Sequence, residues 1–540
     1  MKFNFFIAVL FVVSCSDENK PMSSRAVQPE LGSVRFGTNE MVSLLYGGPS
    51  TAESPNLFSM GHEALICDTP SRLSVNREFD GDAIFTTAVR CTTVPNKPLM
   101  FMVLQKTGTK VSVLKSLTVN DSQWHPIRIA VSSSCQEVTL TASYELPAES
   151  KNAGPEIAWA TPQFNKPNHA EQPDVIFISI DTMRSSALAH APFLSSLIST
   201  GRHYINAYSP SNWTLPSFAS LVSGLTPQQH HCTRGPFSAV ATEVGEERNF
   251  YSLDNRPTFA KAFRDSGYAT AFIHQNPFLE SWTNIQQGFE MFARTADRVD
   301  SSQDIALSWW NDNKHRNRLM LLHFMEPHWP YTNENDAQRF FKKNINDFLV
   351  KDNTPQQRRD FFAVNESVKD EVHAAYNQQI KILDKQLELM VSELSKSSQN
   401  YVVVIHVDHG EELWDQGSFE HGHSFADCVV KVPLAIIHPG SIHSEQITTP
   451  VPAHHIGSYL VEYLNLNSDM PPSALGNSSD ADRTVTSTHS LYRCDIGGKT
   501  IHPDGSYSVI PNSQLDYQGQ NAEIPGDVQA ALLQLGYSGD

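Results

Sequence analysis

Two apolar runs in this sequence end in acid. Val175–Ile180 runs into Asp181, and Tyr401–Val407 runs into Asp408-His409. Short continuous apolar runs predict strands buried on both faces, as in a parallel sheet. In open α/β sheets, ligands bind beyond the carboxyl ends of the strands. If the two strands are neighbours, two carboxylates and an imidazole meet at one edge, a donor set that suits a divalent metal. Taken singly, an aspartate after a strand is usually a helix cap or turn former. A third segment, Asn212-Trp213-Thr214-Leu215-Pro216-Ser217, enters the helical run Phe218–Leu225. Pro216 suits a first helical turn. Thr214 then falls where helix amides point outward, a cradle for a tetrahedral oxyanion. A hydroxyl there, beside a metal, could be deprotonated and attack phosphorus or sulfur. The plainer alternative is that Thr214 only caps the helix.

The elements that must position these residues lie after Pro173. Strand-like and helical stretches alternate there: helical Phe193–Thr200 and Thr258–Ser266, strands Thr270–His274 and Leu319–Phe324. Glu371–Ser395 places Ile380, Leu383, Leu387, Met390 and Leu394 at i, i+3, i+4 spacing, which predicts a long amphipathic helix. The alternation implies a parallel sheet with helices on both faces. The preceding stretch, 40–160, is strand-like throughout. Leu99–Leu104 and Lys110–Leu114 flank Lys106-Thr107-Gly108-Thr109, a hairpin signal. A small all-β sandwich fits these short strands and turns. Trp124 and Trp159 could bind a sugar if exposed, but aromatics in a sandwich more often pack its core. Residues 161–173, with three prolines, read as the linker, and 174–540 as the α/β domain.

The first residues speak to compartment. Lys2, the apolar run Phe5–Val13, then Ser14 and Cys15 make a secretory signal over 1–15, too short to span a bilayer of about 30 Å. Val12-Val13-Ser14-Cys15 resembles the lipobox of bacterial lipoproteins, in which the cysteine becomes the lipidated amino terminus. That resemblance implies a chain anchored through Cys15 in the cell envelope, outer membrane ahead of inner, with the polar segment 16–39 as tether. A net charge of −18 argues against a nucleic-acid partner, whose phosphates need a basic stripe. The six other cysteines form no C-x-x-C pair, so a zinc knuckle is not expected. Export permits disulfides, but spacing does not give their connectivity. Cys428, in an apolar run, reads as a buried thiol.

Six ordered motifs carry a more specific likeness. Asp174–Asp181 with Thr182, Met183 and Arg184 resembles the first metal strand of the sulfatase branch of the alkaline phosphatase superfamily. Asn212–Leu225 is similar to its nucleophile loop. Gly288-Phe289-Glu290, His323 to Tyr331 through His328, and Asp408-His409-Gly410-Glu411-Glu412 follow in family order. His421-Gly422-His423-Ser424 then precedes Val432-Pro433-Leu434, and Leu532–Tyr537 resembles the last helix of many members. The resemblance implies an alkaline-phosphatase-like fold and one divalent metal, zinc, manganese or calcium, held by Asp181, Asp408 and His409. Thr214 would be nucleophile and a further ligand. His328 would contact the transferred group or protonate the leaving group. His421 or His423, the latter preferred, would face the substrate oxyanion. His230 matches a family position near the site, and Arg184 is expected to be structural. The substrate would be a sulfated or phosphorylated glycan or lipid.

Two departures from the family pattern bear on chemistry. Thr214 and Phe218 stand where sulfatases of the usual kind carry the formylglycine-forming residue and the arginine of C-x-P-S-R. Threonine's β-methyl means that oxidation would give a ketone and not the aldehyde, so phosphoesters are favoured over sulfate esters. Thr182 replaces the second aspartate of the calcium-binding sulfatases, and one imidazole ligand tilts the metal towards zinc or manganese. Three readings follow: a hydrolase of sulfate or phosphate esters; a phosphoryl-group transferase acting on envelope lipid or glycan; and a catalytically silent member that binds glycans through the sandwich.

Overall fold

The computed structural model describes strands between residues 27 and 62, most of 64–165, 172–230, 256–295, 299–331, 355–422, 426–438 and 444–475, and short strands between 493 and 509. The signal over 1–15, Cys15 with its lipidation, His423 and the run Leu532–Tyr537 lie outside the described residues. The chain divides into two compact units, Met1–Leu45 with His62–His169, and Tyr46–Gly61 with Ala170–Asp540.

The first unit holds two five-stranded sheets. One runs Val27–Leu31, Ser71–Asn76, Glu137–Tyr144, Leu99–Thr107, Lys110–Val119. The other runs Val34–Phe36, Ala64–Cys67, Ile157–Asn165, Ala83–Cys91, His125–Val131. The hairpin signal is where the sequence placed it: Leu99–Thr107 pairs antiparallel with Lys110–Val119 across Gly108, whose φ of 58° favours glycine. Inward residues of both sheets form one core, in which Trp159 is fully buried and meets Phe101 edge-on at 5.3 Å. Trp124 is partly buried with the Arg90 guanidinium 5.6 Å from its ring centre. Neither tryptophan is left as an open platform. The strand Ile157–Asn165 runs into the proline-bearing segment that reads as linker. Its register shifts between Ala160 and Gln163, and the bulge accommodates Pro162, which has no N–H for a regular ladder. Cys67, Cys91 and Cys135 are buried and outside any disulfide. Cys67 and Cys91 both stand opposite Ile157, one on each side. They are therefore about 10 Å apart, two strand spacings, beyond disulfide reach.

The second unit is built on a nine-stranded sheet. Its strands are β1 (Leu57–His62), β2 (Asp174–Ile180), β3 (Arg202–Tyr204), β4 (Ala269–His274), β5 (Met291–Thr295), β6 (Arg318–Phe324), β7 (Tyr401–Val407), β8 (Leu434–Ile437) and β9 (Glu445–Ile447). They lie in the order β9-β3-β8-β7-β2-β6-β4-β5-β1. The central strands β7, β2, β6, β4 and β5 are parallel. All seven residues of β2 are buried, as their apolar run requires. The expected parallel sheet is mixed at β8, which is antiparallel to both β7 and β3. A parallel return needs a crossover of a dozen or more residues, usually a helix. Among its described residues, the segment 408–433 contains the short helix Asp427–Val430 and two-residue strands, so it turns back at the same edge.

Among the described helices of this unit are α1 (Pro192–Ile198), α2 (Thr214–Ser223), α3 (Phe259–Asp265), α4 (Val299–Asp312), α5 (Lys369–Ser395) and α6 (Ile456–Tyr463). α5 packs on α1 and α4, whereas α6 packs on α2 and α3, which gives two helical groups. The apolar spacing of α5 becomes its buried stripe, with Ile380, Leu383, Leu387, Met390 and Leu394 inward. Asp384 on that stripe accepts from the backbone amides of Phe193 and Leu194 at 2.9 and 2.8 Å and so caps α1.

Candidate active site

β2 and β7 are hydrogen-bonded neighbours with Ile180 opposite Val407, so Asp181 and Asp408 leave the sheet side by side. Next to them His409 turns its Nε2 to within 3.4 Å of Asp181 Oδ1 and 3.5 Å of Asp408 Oδ2. Ligand atoms of Asp181, Asp408 and His409 all lie within 4.8 Å of one another. His409 Nδ1 is 3.0 Å from the Gly410 carbonyl oxygen. It therefore carries the proton, and Nε2 presents a bare lone pair. Asp181 and Asp408 are fully buried, yet Asp181 Oδ1 and Asp408 Oδ2 have no hydrogen-bond partner. Burial, then the Asp181 charge, raises the Asp408 carboxyl well above its usual range. Burial, then His421, lowers His409 well below the usual imidazole value, so its ring is neutral. Two partnerless carboxylate oxygens and an imidazole lone pair in one buried space are costly without a cation. The residues present fit one divalent metal.

The turn after Asp181 is held from α5. Thr182 adopts φ 54°, a left-handed conformation rare for a β-branched residue. The Tyr376 hydroxyl donates to the Thr182 carbonyl oxygen and accepts from the Arg184 amide, both at 2.9 Å. Arg184 reaches away to Asp415, 2.6 Å from Nη2, the structural role expected of it.

Thr214 is the first residue of α2, and the cap position falls to Trp213. The capping alternative is thereby removed, since the Thr214 hydroxyl lies 3.4 Å from Asp181 Oδ2 and 3.3 Å from His409 Nε2. One turn on, Phe218 is fully buried. It stacks on Phe272 at 5.9 Å and meets His323 edge-on at 4.9 Å. An apolar core contact thus occupies the position where the motif has arginine.

The imidazoles gather around this centre. The His421 ring is centred 4.3 Å from His409 and 5.1 Å from His328. The Gly422 amide donates to the Asn212 carbonyl at 2.9 Å, which ties the His421 loop to the Thr214 loop. His328 is 8% exposed, and its Nδ1 is committed to the Trp329 carbonyl oxygen, leaving Nε2 for the site. His323 Nε2 lies 3.5 Å from Asp181 Oδ2, and burial holds this ring down to about 3. His230 is spent elsewhere: it bonds Ser220 Oγ at 2.9 Å and accepts from the Cys232 amide at 3.0 Å, bracing α2.

Two site residues were not singled out by the sequence. Glu411 is fully buried, its carboxyl is pushed up to about 8 by burial, and its Oε1 lies 2.9 Å from His421 Nδ1. It was visible only as part of Asp408–Glu412. Asn276, 1% exposed, donates to Asp181 Oδ2 at 2.8 Å and to Thr214 Oγ1 at 3.3 Å. An asparagine before Pro277 at the end of a strand reads as a turn residue; its one signal is the polar ending of an otherwise apolar β4.

The fold and site define a class: an α/β protein with a buried carboxylate–imidazole cluster that could hold a metal at the carboxyl ends of its strands, and a hydroxyl at a helix start beside it. The family model described as Sulfatase matches residues 173–466, more than half of the chain, and the chain belongs to the sulfatase family of ester hydrolases. Among solved structures it is similar to the phosphonate monoester hydrolase of Agrobacterium radiobacter, at 18% identity over 56% of this chain and 76% of that one, TM-score 0.44. It is also similar to a phosphonate monoester hydrolase from Silicibacter pomeroyi, at 16% identity over 56% and 76%, TM-score 0.40. A 2-O GAG sulfatase is similar at 17% identity over 58% and 75%, TM-score 0.44. No curated protein sequence matches the chain.

Proposed function

We propose that this protein is a single-metal phosphoester hydrolase with Thr214 as its nucleophile. The observation that carries the reading is the Thr214 hydroxyl, 3.4 Å from one buried acid and 3.3 Å from the imidazole beside the other, at the start of α2. Asp181, Asp408, His409 and Thr214 would hold the ion, and the neutral imidazole favours zinc or manganese. Such an ion supplies charge neutralisation at the acids and a lowered proton affinity for the hydroxyl.

The chain's own residues do the rest. Thr214 Oγ1, its proton released to solvent beforehand, would attack phosphorus in line; one O–P bond forms as the ester O–P bond breaks. The amides at the start of α2 receive the equatorial oxygens. His328 or His421 gives a proton to the departing alkoxide. Water then releases phosphate or a phosphomonoester from the threonine; an alcohol in its place would make the reaction a transfer. Sulfate esters are the poorer substrates on this reading, because a threonine side chain lacks the hydrated aldehyde that expels sulfate.

The test is metal-supplemented protein with an aryl phosphodiester and an aryl sulfate. The phosphodiester is expected to turn over faster, and Thr214→Ala to abolish it. Turnover of both esters unaltered in Thr214→Ala removes the nucleophile assignment. Envelope anchoring through Cys15 is a separate proposal from the leader's composition. Cys15→Ser is expected to leave the protein unlipidated and out of the membrane fraction, and unchanged membrane recovery would overturn it.

A further inference from the structure

We propose that Asn276 is a further catalytic residue, whose amide aims the Thr214 oxygen and stabilises the charge that oxygen carries as it attacks. The inference rests on the reading of Thr214 as nucleophile and adds a group to its machinery. Asn276 follows β4 by two residues and caps the short helical turn Pro277–Leu279. Its Oδ1 accepts from the Phe278 amide at 2.8 Å. That bond settles which end of the amide faces the site, because an oxygen acceptor is required on the Phe278 side. Nδ2 therefore points at the centre with two hydrogens for two acceptors. One goes to Asp181 Oδ2 at 2.8 Å and the other to Thr214 Oγ1 at 3.3 Å. The backbone around it is held as well, since the Asn276 carbonyl lies 3.0 Å from His274 Nδ1. The side chain is 1% exposed.

The arrangement acts on the nucleophile in two ways. Thr214 Oγ1 lies near two acceptors, Asp181 Oδ2 at 3.4 Å and the bare His409 Nε2 at 3.3 Å. Its single proton serves one of them at a time. The Asn276 donor occupies an oxygen lone pair instead, so it fixes the direction of the remaining one. When the proton has left, the same N–H faces a charged oxygen. A hydrogen bond to a charged group is roughly twice as strong as a neutral one, and here no reorganisation is needed to gain it. The second hydrogen holds Asp181 Oδ2, so acid and hydroxyl keep a common orientation from one rigid amide.

The experiment compares Asn276→Asp and Asn276→Ser with wild type and Thr214→Ala. Aspartate and serine both keep an acceptor for the Phe278 amide, so the cap survives while the amide donor is lost. Each protein is checked for thermal unfolding and for zinc content by elemental analysis, then assayed with an aryl phosphodiester at saturating zinc. Rapid quench and mass spectrometry follow phosphate on the peptide containing Thr214. Both Asn276 variants are expected to fold with zinc bound, lose on the order of 10²-fold in kcat with little change in KM, and phosphorylate Thr214 correspondingly slowly. Turnover within about threefold of wild type in folded, zinc-loaded Asn276 variants, with Thr214→Ala silent, overturns the role of Asn276 alone. An active Thr214→Ala overturns the nucleophile itself. If one variant fails to fold, the other decides by the same readouts.

Discussion

Threonine at 214 differs from serine by one methyl, and that methyl restricts the side chain at χ1. The hydroxyl is therefore delivered to Asp181 and His409 with little rotamer freedom to lose. Thr214→Ser is expected to keep phosphodiester turnover within about tenfold of wild type, whereas Thr214→Ala abolishes it; equal losses in a steady-state assay would mean that the methyl's packing, and not the oxygen, is what the site needs. Asp408 supplies one of the partnerless oxygens. Asp408→Asn is expected to lower metal content well below one ion per chain, and unaltered stoichiometry on elemental analysis would count against the site. Asp181 and Asp408 were legible in the sequence because each interrupts an apolar run at its carboxyl end. Asn276 and Glu411 were not. Their roles depend on β4 lying beside β6 and on the His421 loop folding back to Asp408–Glu412, and neither adjacency is written in local composition.

At the scale of elements, α5 reaches the site from the helical layer. Its Tyr376 hydroxyl holds the left-handed Thr182 turn that presents Asp181. Tyr376→Phe removes both hydrogen bonds at about 1 kcal/mol each. A lower melting temperature is expected, with metal affinity reduced several-fold in a competition titration; an unchanged affinity would show that the turn holds itself. Gly410 plays a different part. A Cβ there would meet the Cys428 carbonyl oxygen at 2.1 Å, so the backbone after His409 can pack only without a side chain. Gly410→Ala is expected to cost several kcal/mol, visible in urea unfolding. Helix α5 was readable from its apolar period because that period survives burial. The direction of β8 was not, since Leu434–Ile437 is equally apolar whichever way it runs. Pro162 misled in the opposite sense: proline signals a chain break, and here a bulge absorbs it inside a strand.

For the molecule as a whole, acid is the expected weakness. His455 is 7% exposed, and burial lowers its ring to about 4 in the folded state. Its unfolded value is near 6.5. Between those values the unfolded chain binds the extra proton, so stability is full above about 6.5 and is lost as pH falls towards 4, by at most about 1.4 kcal/mol per unit from this group. His455→Gln is expected to flatten the fall in melting temperature over that window, and an identical slope would place the acid sensitivity elsewhere. The cysteines Cys67, Cys91 and Cys135 all lie in the core of the first unit.

The return of β8 along the edge it left has a consequence for how this centre can be rebuilt. Asp408, His409, Glu411 and His421 all sit on one uninterrupted stretch between two neighbouring strands. A single cassette exchange of 408–433 with another family member would transplant Asp408, the His409 imidazole and the His421–Glu411 pair together. The hydroxyl at 214 and the acid at 181 would stay native, so a chimera could separate what each half of the centre contributes to ester preference.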